Sequence, residues 1–223
     1  MIKQALILCG GKGERLKPIT KKIPKPLAEI NNKPLLGHQI NYLKNQGINK
    51  FILATGYKAE LIEEYILSNY SNLNIEISNS GDVDIMQRII NCKNYLDNNF
   101  LVCYGDTLAN IDINMLFKFH SKHISSATVT SYQIQSQFGT LNINKNGEVI
   151  KFLEKPLLDV WINIGFFMLN KKLIEKAPNT FVDFIENLVK NKMLFSYKHR
   201  GIHITVNTLT ELEQAEKNIK NFK

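Results

Sequence analysis

Cysteine is scarce in this 223-residue chain and is not arranged as a redox or metal motif. The three cysteines, Cys9, Cys92 and Cys103, lie far apart in apolar surroundings, and none belongs to a C-x-x-C or Cys/His pair. Disulfide frameworks and zinc sites need several closely spaced ligands, so this spacing argues against both. We expect small core thiols in a reducing compartment, and therefore a cytoplasmic protein.

Long apolar runs are also missing. The apolar run before the first glycine, residues 5–9, is shorter than the core of a signal peptide. No segment reaches the roughly 18 apolar residues that a membrane helix needs. No membrane partner is therefore predicted.

Positive charge is abundant, but it is not concentrated. The formal net charge is +8 at pH 7, which on its own would suit a nucleic-acid surface. The lysines are scattered along the chain without interleaved aromatic residues. This distribution favours a lysine-rich surface with one anion site, and no nucleic-acid partner is predicted.

Glycines and cations do cluster in one stretch, residues 6–27, LILCGGKGERLKPITKKIPKPL. The apolar run ends at Gly10, and the cations Lys12, Arg15 and Lys25 follow. Because glycine lacks a Cβ, such a loop can approach an anion closely and turn several backbone N–H groups toward it. The pattern predicts a buried strand followed by a phosphate-binding loop.

Other glycine-rich motifs differ from this one. A dinucleotide fingerprint would place a third small residue where Leu16 stands, and Pro18 interrupts the helix that should follow. The P-loop spacing G-x-x-x-x-G-K-[ST] is absent. A plain tight turn is an alternative, but Arg15 and the proline-flanked Lys25 favour a polyphosphate ligand because they supply a donor fork and a point charge.

The first half of the chain alternates between strand and helix patterns, most clearly over residues 35–78. This order predicts a parallel sheet with helical crossovers. In such sheets ligands collect at the carboxyl ends of the strands. The loops after Leu8, Thr55 and Ser78 should therefore meet at one site.

Two loops in this half carry acidic residues with more than one interpretation. The loop 79–84, which contains Gly81 and Asp82, either recognises a base or caps the next helix. Asp106 directly follows a buried strand at 100–104. A metal ligand for a triphosphate belongs there, although a turn or a helix cap has the same pattern.

The second half changes to β patterns, and an Asn146-Gly147 turn between alternating runs predicts a hairpin. The hairpin ends at Glu154 and Lys155, which by residue type alone are typical of a surface ion pair. Asn163 and Gly165 on the next strand suit a pocket that faces them, because glycine gives room and asparagine supplies a donor and an acceptor.

Taken together, these segments resemble the sugar-1-phosphate nucleotidyltransferases. The matching motifs, in chain order, are GGKGERL, IPKPL, YGDTLANIDI, FGTLNI, FLEKP, INIGFFML and KHRGIHITVNTL. Within the family they are most similar to glucose-1-phosphate cytidylyltransferases, followed by guanylyltransferases that act on heptose or mannose phosphates.

The resemblance implies a three-layer α/β/α Rossmann-like nucleotidyltransferase fold. Its central sheet would be mainly parallel, with a small β-rich acceptor-binding portion. Residues 1–223 would form one domain, with a nucleotide-binding half at about 1–112 and an acceptor-binding half at about 113–223. The family usually assembles as homo-oligomers, so a homo-oligomer is expected.

The resemblance also implies roles for residues at the motif positions. The nucleotide-binding set is Leu8, Gly10, Gly11, Lys12, Gly13, Glu14, Gly81, Asp82 and Gly105, and the catalytic set is Arg15, Lys25 and Asp106. The acceptor-binding set is Gly139, Glu154, Lys155, Asn163 and Gly165. Asp106 would bind Mg²⁺, and an oxygen of the sugar phosphate would attack the α-phosphorus of a nucleoside triphosphate in line, releasing pyrophosphate.

Two positions depart from the family's pattern. Asn207 stands where the family has a second metal-binding aspartate, so one negative charge is lost, although an amide oxygen still ligates hard cations. Asn207 also suits a cap for the final helix, whose Thr208-x-x-Glu211 fits a capping box. Met86-Gln87-Arg88 replaces the glycines that the family has before its arginine, which leaves the nucleobase open.

The sequence therefore predicts an enzyme that makes a CDP- or GDP-activated sugar for surface glycan synthesis. CTP is the favoured donor, and a heptose or mannose 1-phosphate guanylyltransferase is the alternative. A catalytically silent relative that binds nucleotide or sugar phosphate is a further alternative, motivated by Asn207.

Overall fold

A seven-stranded sheet forms the centre of the protein in the computed structural model, which describes residues 2–123 and 126–222. The strands are β1 (Gln4–Leu8), β2 (Glu29–Ile30), β3 (Lys33–Pro34), β4 (Lys50–Thr55), β5 (Asn74–Asn79), β6 (Asn99–Tyr104), β7 (Thr107–Ala109), β8 (Ala127–Gln135), β9 (Thr140–Ile143), β10 (Val149–Leu153), β11 (Leu157–Asn170), β12 (Leu194–His199) and β13 (His203–Thr205). The helices are α1 (Ile19–Lys22), α2 (Leu35–Asn45), α3 (Ala59–Tyr70), α4 (Ile85–Asn91), α5 (Ile113–His120), α6 (Lys171–Glu175), α7 (Phe181–Lys190) and α8 (Leu209–Asn218). Short 3-10 turns lie at Glu14–Leu16, Lys25–Leu27 and Ile219–Asn221.

The central sheet is mainly parallel, as the sequence pattern predicts. Its strand order is β12-β8-β11-β6-β1-β4-β5. Strand β11 runs antiparallel to β6 and β8, and the other neighbouring pairs in this sheet are parallel. The carboxyl ends of β1, β4, β5 and β6 therefore lie side by side at one edge.

Successive strand residues pack on opposite faces of this sheet, which gives the three layers. Ile7 and Leu53 belong to a core shared with α2 and α3, whereas Leu6 and Ile52 pack on the other side with α4 and α7. All four side chains are fully buried. A parallel strand covered on both faces has no polar side, which is why these segments appear as apolar runs rather than alternating patterns. The predicted α/β fold is confirmed.

The cysteines lie in these cores. Cys9, Cys92 and Cys103 are free and buried, and burial raises the pKa of the Cys9 thiol above its usual value. They pack as small apolar side chains, as expected. Within the described ranges, no helix combines the length and the apolar character that a bilayer crossing requires.

Two short strands were not predicted from the sequence. Strands β7 and β13 have three residues each and pair antiparallel, with Thr107 opposite Thr205. A strand of this length shows no periodic pattern, and its pairing depends on tertiary contacts. The pair brings the segment before α8 back to the edge where β6 ends.

The predicted hairpin forms around Gly147, whose φ is 86°. Strands β9 and β10 pair antiparallel and form a separate two-stranded sheet. The next strand, β11, starts at Leu157, and its first half pairs with the end of β8. The division into nucleotide and acceptor halves stays a prediction, and its outer limits, residues 1 and 223, lie outside the described residues.

One carboxylate oxygen links two helices on one face of the sheet. Asp84 Oδ1 accepts the Met86 N–H at the start of α4 at 2.7 Å. The same oxygen accepts the Phe181 N–H at the start of α7 at 2.9 Å. Each of these N–H groups would otherwise lack an acceptor in its own helix.

We expect Asp84→Ala to lower the free energy of unfolding by about 1–2 kcal/mol, because two helix N-termini lose their acceptor. Asp84→Asn keeps an Oδ1 acceptor and should retain most of the stability. Urea unfolding of the wild type and both variants measures the difference. An equal loss in the two variants would contradict the capping role of this oxygen.

Candidate functional site

A cavity of about 450 Å³ opens at the carboxyl end of β1. It contains the predicted catalytic residues, most of the predicted nucleotide-binding residues and Asn207. The lining residues are Leu8, Cys9, Gly10, Gly11, Gly13, Glu14, Arg15, Lys25, Pro26, Asp82, Val83, Ile85, Arg88, Tyr104, Asp106 and Asn207. The loops after β1 and β5 and the end of β6 therefore meet here, as expected for the edge of a parallel sheet. The loop after Thr55 was predicted to join them, but the cavity lining includes none of its described residues, and its Gly56 lies beside Arg88 instead.

The glycine loop turns at Gly13, whose φ of 63° lies in the left-handed region. The Gly13 carbonyl accepts the Leu16 N–H at 2.9 Å and the Thr20 hydroxyl at 3.0 Å. These bonds fix the 3-10 turn in which Leu16 is buried while Glu14 and Arg15 are exposed. Any residue with a Cβ would be strained at position 13.

A buried arginine lies against the glycine loop. Arg88 on α4 is only 5% exposed, and its Nη1 donates to the Thr55 carbonyl at 2.8 Å. A Cβ at Gly10 would lie 1.8 Å from this nitrogen, and a Cβ at Gly56 would lie 2.3 Å from it. Burial lowers the pKa of Arg88, yet a guanidinium stays charged. Arg88 was not among the predicted site residues. The sequence did offer an indication of its role, because a positively charged residue stands among the buried, otherwise apolar positions of α4.

Two prolines hold Lys25 in the cavity wall. Lys25 stands between Pro24 and Pro26 in a 3-10 turn and is 8% exposed. Its Nζ forms an ion pair with Oδ2 of Asp106 and donates to Oδ1 of Asn207 at 2.9 Å. Because each proline fixes its own φ, the backbone around the lysine has little freedom. The ammonium is therefore presented to the cavity in a defined position.

Asn207 completes a group of four side chains, of which two are positively charged and two present oxygen atoms to those charges. Its Oδ1 also accepts from Arg15 Nη2 at 2.9 Å, while its Nδ2 donates to the Thr205 hydroxyl at 3.1 Å. These partners orient the amide so that its oxygen faces the cations. We call Arg15, Lys25, Asp106 and Asn207 the cation–carboxylate cluster.

Short strands and a helix cap bring this cluster together. Asp106 immediately precedes β7, Asn207 follows β13, and these two strands pair. The Glu211 carboxylate accepts the N–H groups of Asn207 and Thr208, and the Thr208 hydroxyl accepts the Glu211 N–H. The predicted capping box is present, and it also orients the residue before it.

Gln39 of α2 supports the turn that carries Asp106. The residue is 2% exposed, and its Nε2 donates to the carbonyls of Tyr104 at 3.0 Å and Thr107 at 3.1 Å. These carbonyls flank Gly105 and Asp106, so one amide group fixes both sides of the turn. Sequence reasoning missed Gln39, although a polar side chain on the apolar face of a helix was an available signal.

Lys12 and Asp82 join the glycine loop to the loop after β5. They form an exposed ion pair, and their hydrogen bond raises the pKa of Lys12 and lowers the pKa of Asp82. Gly81 beside them has a φ of 66°. Asp84 caps α4, which confirms the helix-cap interpretation of this loop at that residue. Asp82 lines the cavity, and recognition of a base by this loop stays a prediction.

Two predicted acceptor residues lie against a residue that lines the cavity. Asn163 Oδ1 accepts the Gly165 N–H at 2.8 Å. A Cβ at Gly165, where φ is 78°, would lie 2.5 Å from the Tyr104 ring. Burial raises the pKa of Tyr104, and a hydrogen bond with Asn163 opposes that shift. Glycine at position 165 thus lets the tyrosine ring pack closely against the strand.

The other predicted acceptor residues lie at the base of the β9–β10 hairpin. Glu154 Oε2 is 3.1 Å from where a Cβ of Gly139 would stand, and Lys155 is exposed. Of the residues that the structure describes, the cavity lining includes none of these three. Their acceptor roles stay predictions.

The oxygen donors of the cluster suit a hard cation bound together with phosphates. Among the described residues, no group of three or more His, Cys, Asp and Glu side chains is positioned to hold a metal. Mg²⁺ at nucleotide sites uses one or two carboxylates plus substrate phosphates rather than an all-protein cage. Asp106 together with the Asn207 amide oxygen fits that chemistry.

Comparisons with known proteins identify relatives of the whole chain. Residues 4–199 match the model of the nucleotidyl transferase family. A probable glucose-1-phosphate cytidylyltransferase from Bacillus subtilis is 37% identical over 96% of this chain and 95% of its own length. A D-glycero-alpha-D-manno-heptose 1-phosphate guanylyltransferase from Campylobacter jejuni is 38% identical over 76% of this chain and 77% of its own length. The solved structure of HddC from Yersinia pseudotuberculosis superposes with a TM-score of 0.78 at 26% identity over the full length of both chains.

We expect Gln39→Met, which keeps the size of the side chain, to lower the free energy of unfolding by about 1–3 kcal/mol, because two buried carbonyls lose their donor. It should also raise the Mg²⁺ concentration needed for half-maximal nucleotide binding, since the turn that carries Asp106 loosens. Gln46→Met is the control at the residue that follows the same helix, where the side chain only accepts a long hydrogen bond of 3.4 Å from the Ile113 N–H. Urea unfolding and thermal-shift titrations measure both effects. Equal behaviour of the two variants would contradict the positioning role of Gln39.

Proposed function

The chain belongs to the sugar-1-phosphate nucleotidyltransferases, and from this premise we propose that it transfers a nucleoside monophosphate from CTP to a sugar 1-phosphate and releases pyrophosphate. The observation that carries the proposal is the cation–carboxylate cluster in the wall of the cavity. Arg15 and Lys25 offer a donor fork and a point charge for phosphates. Asp106 and Asn207 offer oxygens to a cation that accompanies a triphosphate.

The proposed reaction is a direct displacement at phosphorus. An oxygen of the acceptor phosphate attacks the α-phosphorus, the bond from that phosphorus to the bridging oxygen breaks, and pyrophosphate leaves with the bonding electrons. No side chain needs to act as a covalent nucleophile, so the protein contributes positioning and charge neutralisation. Gly10, Gly11 and Gly13 are proposed to bind the phosphates through backbone N–H groups, with Arg15 and Lys25 neutralising their charge.

Asp106 and Asn207 are the residues proposed to hold Mg²⁺. The bound ion supplies positive charge that stabilises the charge on the phosphate oxygens. Asp106 pairs with Lys25 through Oδ2 in the structure, and a cation bound at this carboxylate would compete with the lysine for its negative charge. Lys25 would then be more available to a phosphate. Because Asn207 is neutral, we expect the site to need more Mg²⁺ than a site with two carboxylates.

CTP is the favoured donor because the motif YGDTLANID and the Bacillus subtilis relative both favour a cytidylyltransferase. A guanylyltransferase that acts on heptose or mannose 1-phosphate is the second candidate. The Campylobacter jejuni relative, with similar identity over a shorter part of the chain, supports it. Gly81 and Asp82 beside the glycine loop are the residues proposed to contact the base.

The acceptor is proposed to bind between the cavity and the base of the hairpin. Asn163 and Gly165 lie beside Tyr104, and Gly139, Glu154 and Lys155 belong to the hairpin side. Glu154 is proposed for a sugar hydroxyl and Lys155 for the acceptor phosphate. The activated sugar would serve surface polysaccharide synthesis, and the enzyme would act as a homo-oligomer.

Pyrophosphate release tests the function directly. The purified protein is incubated with Mg²⁺, one of CTP, GTP, UTP, dTTP or ATP, and a panel of glucose, mannose and heptose 1-phosphates. We expect release with CTP and a fall of about 100-fold or more in Lys25→Met, which removes the charge but keeps the length. Release only with GTP supports the second candidate. No release with any pair contradicts the transferase proposal.

Asn207→Asp separates an active enzyme from a catalytically silent relative. In an active enzyme we expect the Mg²⁺ concentration for half-maximal rate to fall, because a second carboxylate joins Asp106. Asn142→Asp, on the exposed hairpin, is the matched charge control and should leave the Mg²⁺ dependence unchanged. Nucleotide-induced stabilisation without turnover in the wild type and in Asn207→Asp would favour the silent relative.

A further inference from the structure

The guanidinium of Arg88 is a buried cation without a carboxylate partner. Arg88 is 5% exposed, and among the described residues it forms no ion pair. The acids that precede it in the chain have other partners, because Asp82 pairs with Lys12 and Asp84 accepts two helix N–H groups. A buried charge without a partner is costly. A ligand that brings hydrogen-bond acceptors to this position would therefore be bound.

Most of the donors of this guanidinium are free. An arginine side chain has five N–H donors and no acceptor. In the described part of the chain the Arg88 side chain donates one hydrogen bond, from Nη1 to the Thr55 carbonyl at 2.8 Å. The fully enclosed side-chain atoms that lack a partner there belong to Gln39, Thr55 and Thr130, and not to Arg88. Because Arg88 lines the cavity, its free donors are accessible from the cavity.

Arg88 and the cation–carboxylate cluster lie on opposite sides of β1. Asp106 of the cluster follows β6, whereas the carbonyl that accepts from Arg88 belongs to Thr55 at the end of β4. Strand β1 lies between β6 and β4 in the sheet, so those two strands are about 10 Å apart, which is two strand spacings. The cavity includes both places. A nucleoside triphosphate whose phosphates lie at the cluster thus has room to place its base at Arg88.

Apolar side chains near Arg88 suit the faces of a base. Leu8 and Ile85 line the cavity, are partly exposed, and pack against the apolar cluster to which Met86 and Ile89 of α4 belong. Ligand sites of this kind combine apolar walls with a few polar groups that fix orientation. The free donors of Arg88 are such a group, and they would meet the edge of the ring rather than its face.

The polar edges of the bases differ in what they offer to a guanidinium. Its parallel N–H donors pair best with two adjacent acceptors. Cytosine has such a pair in N3 and O2, and guanine has one in N7 and O6. Uracil and thymine carry an N3–H donor between their carbonyl groups, and adenine has an amino group beside N1 and N7.

We propose that Arg88 selects the nucleobase by donating to two adjacent acceptors on the edge of cytosine or of guanine. The inference rests on the proposed function, because it takes the ligand to be a nucleoside triphosphate. UTP, dTTP and ATP are rejected because each would leave a buried, charged donor facing another donor. Glycine at positions 10 and 56 makes room for this side chain, since a Cβ there would lie 1.8 or 2.3 Å from Arg88 Nη1.

Calorimetric titration in Mg²⁺ tests this role with two matched pairs of nucleotides. CTP is compared with 3-deaza-CTP and GTP with 7-deaza-GTP, in which a CH group replaces N3 or N7 and removes one acceptor. For the base that the wild type prefers, we expect the deaza form to bind about 10-fold or more weakly, and Arg88→Met to reduce this difference below about 3-fold. Arg200→Met, at an exposed arginine that the described cavity lining does not include, is the matched control and should keep the wild-type difference. The pair that shows the difference identifies the base as cytosine or guanine.

Inorganic tripolyphosphate, which has no base, separates recognition of the base from binding of the phosphates. We expect Arg88→Met to bind it as the wild type does. Lys25→Met should bind it more weakly and still distinguish the paired nucleotides. A loss of tripolyphosphate binding in Arg88→Met as large as that in Lys25→Met would assign Arg88 to the phosphates and overturn the proposal.

Circular dichroism establishes that each variant is folded, and the deaza pairs test the wild type without any substitution. Equal affinity of the wild type for both members of each pair, or an unchanged difference in folded Arg88→Met, overturns the proposal. Pyrophosphate release by the same samples tests the transferase function separately. Release without discrimination between the pairs overturns the role of Arg88 alone, whereas selective binding without release supports that role and contradicts the transfer. Absence of binding by every nucleotide overturns both.

Discussion

The ion pair between Lys25 and Asp106 is the contact on which the cavity depends. A buried ammonium is costly without a partner, and Lys25 obtains one from the end of the central sheet. The prolines beside the lysine and the amide of Gln39 behind the aspartate fix the two ends of this pair. Asn207, from the last quarter of the chain, accepts hydrogen bonds from Lys25 and from Arg15 of the glycine loop. The Lys25–Asp106 pair and these bonds thereby join segments that are far apart in sequence.

The charge of the cluster has a direct consequence for binding. Arg15 and Lys25 contribute two positive charges and Asp106 one negative charge, since Asn207 is neutral. The cluster therefore carries a net positive charge, which favours a polyphosphate even before a cation arrives. An aspartate at position 207 would cancel this excess. Asparagine at this position therefore lowers the affinity of the cluster for a metal ion and raises its affinity for the phosphates themselves.

Patterns of neighbouring residues in the sequence predicted the buried strands and the loop that follows β1, because these features depend on residues close together in the chain. Buried parallel strands appear as apolar runs, and the glycine loop and the prolines around Lys25 constrain the backbone by themselves. The contacts of Gln39 and Arg88 could not be predicted in this way, because their partners are carbonyls in loops distant in sequence. The pairing of β7 with β13, which brings Asn207 to Asp106, also depends on tertiary structure. The alternating hairpin pattern correctly predicted strands.

The central claim is that Asp106 exchanges Lys25 for a cation when a triphosphate binds. Calorimetric titration of a non-hydrolysable CTP analogue into the wild type and Asp106→Asn, each with EDTA and with Mg²⁺, tests it most directly. In EDTA the variant should bind more tightly than the wild type, because Lys25 is no longer paired with a carboxylate. Mg²⁺ should tighten binding by about tenfold or more in the wild type and have little effect in the variant. Weaker binding by the variant in EDTA, or an equal Mg²⁺ effect in both proteins, would contradict this account.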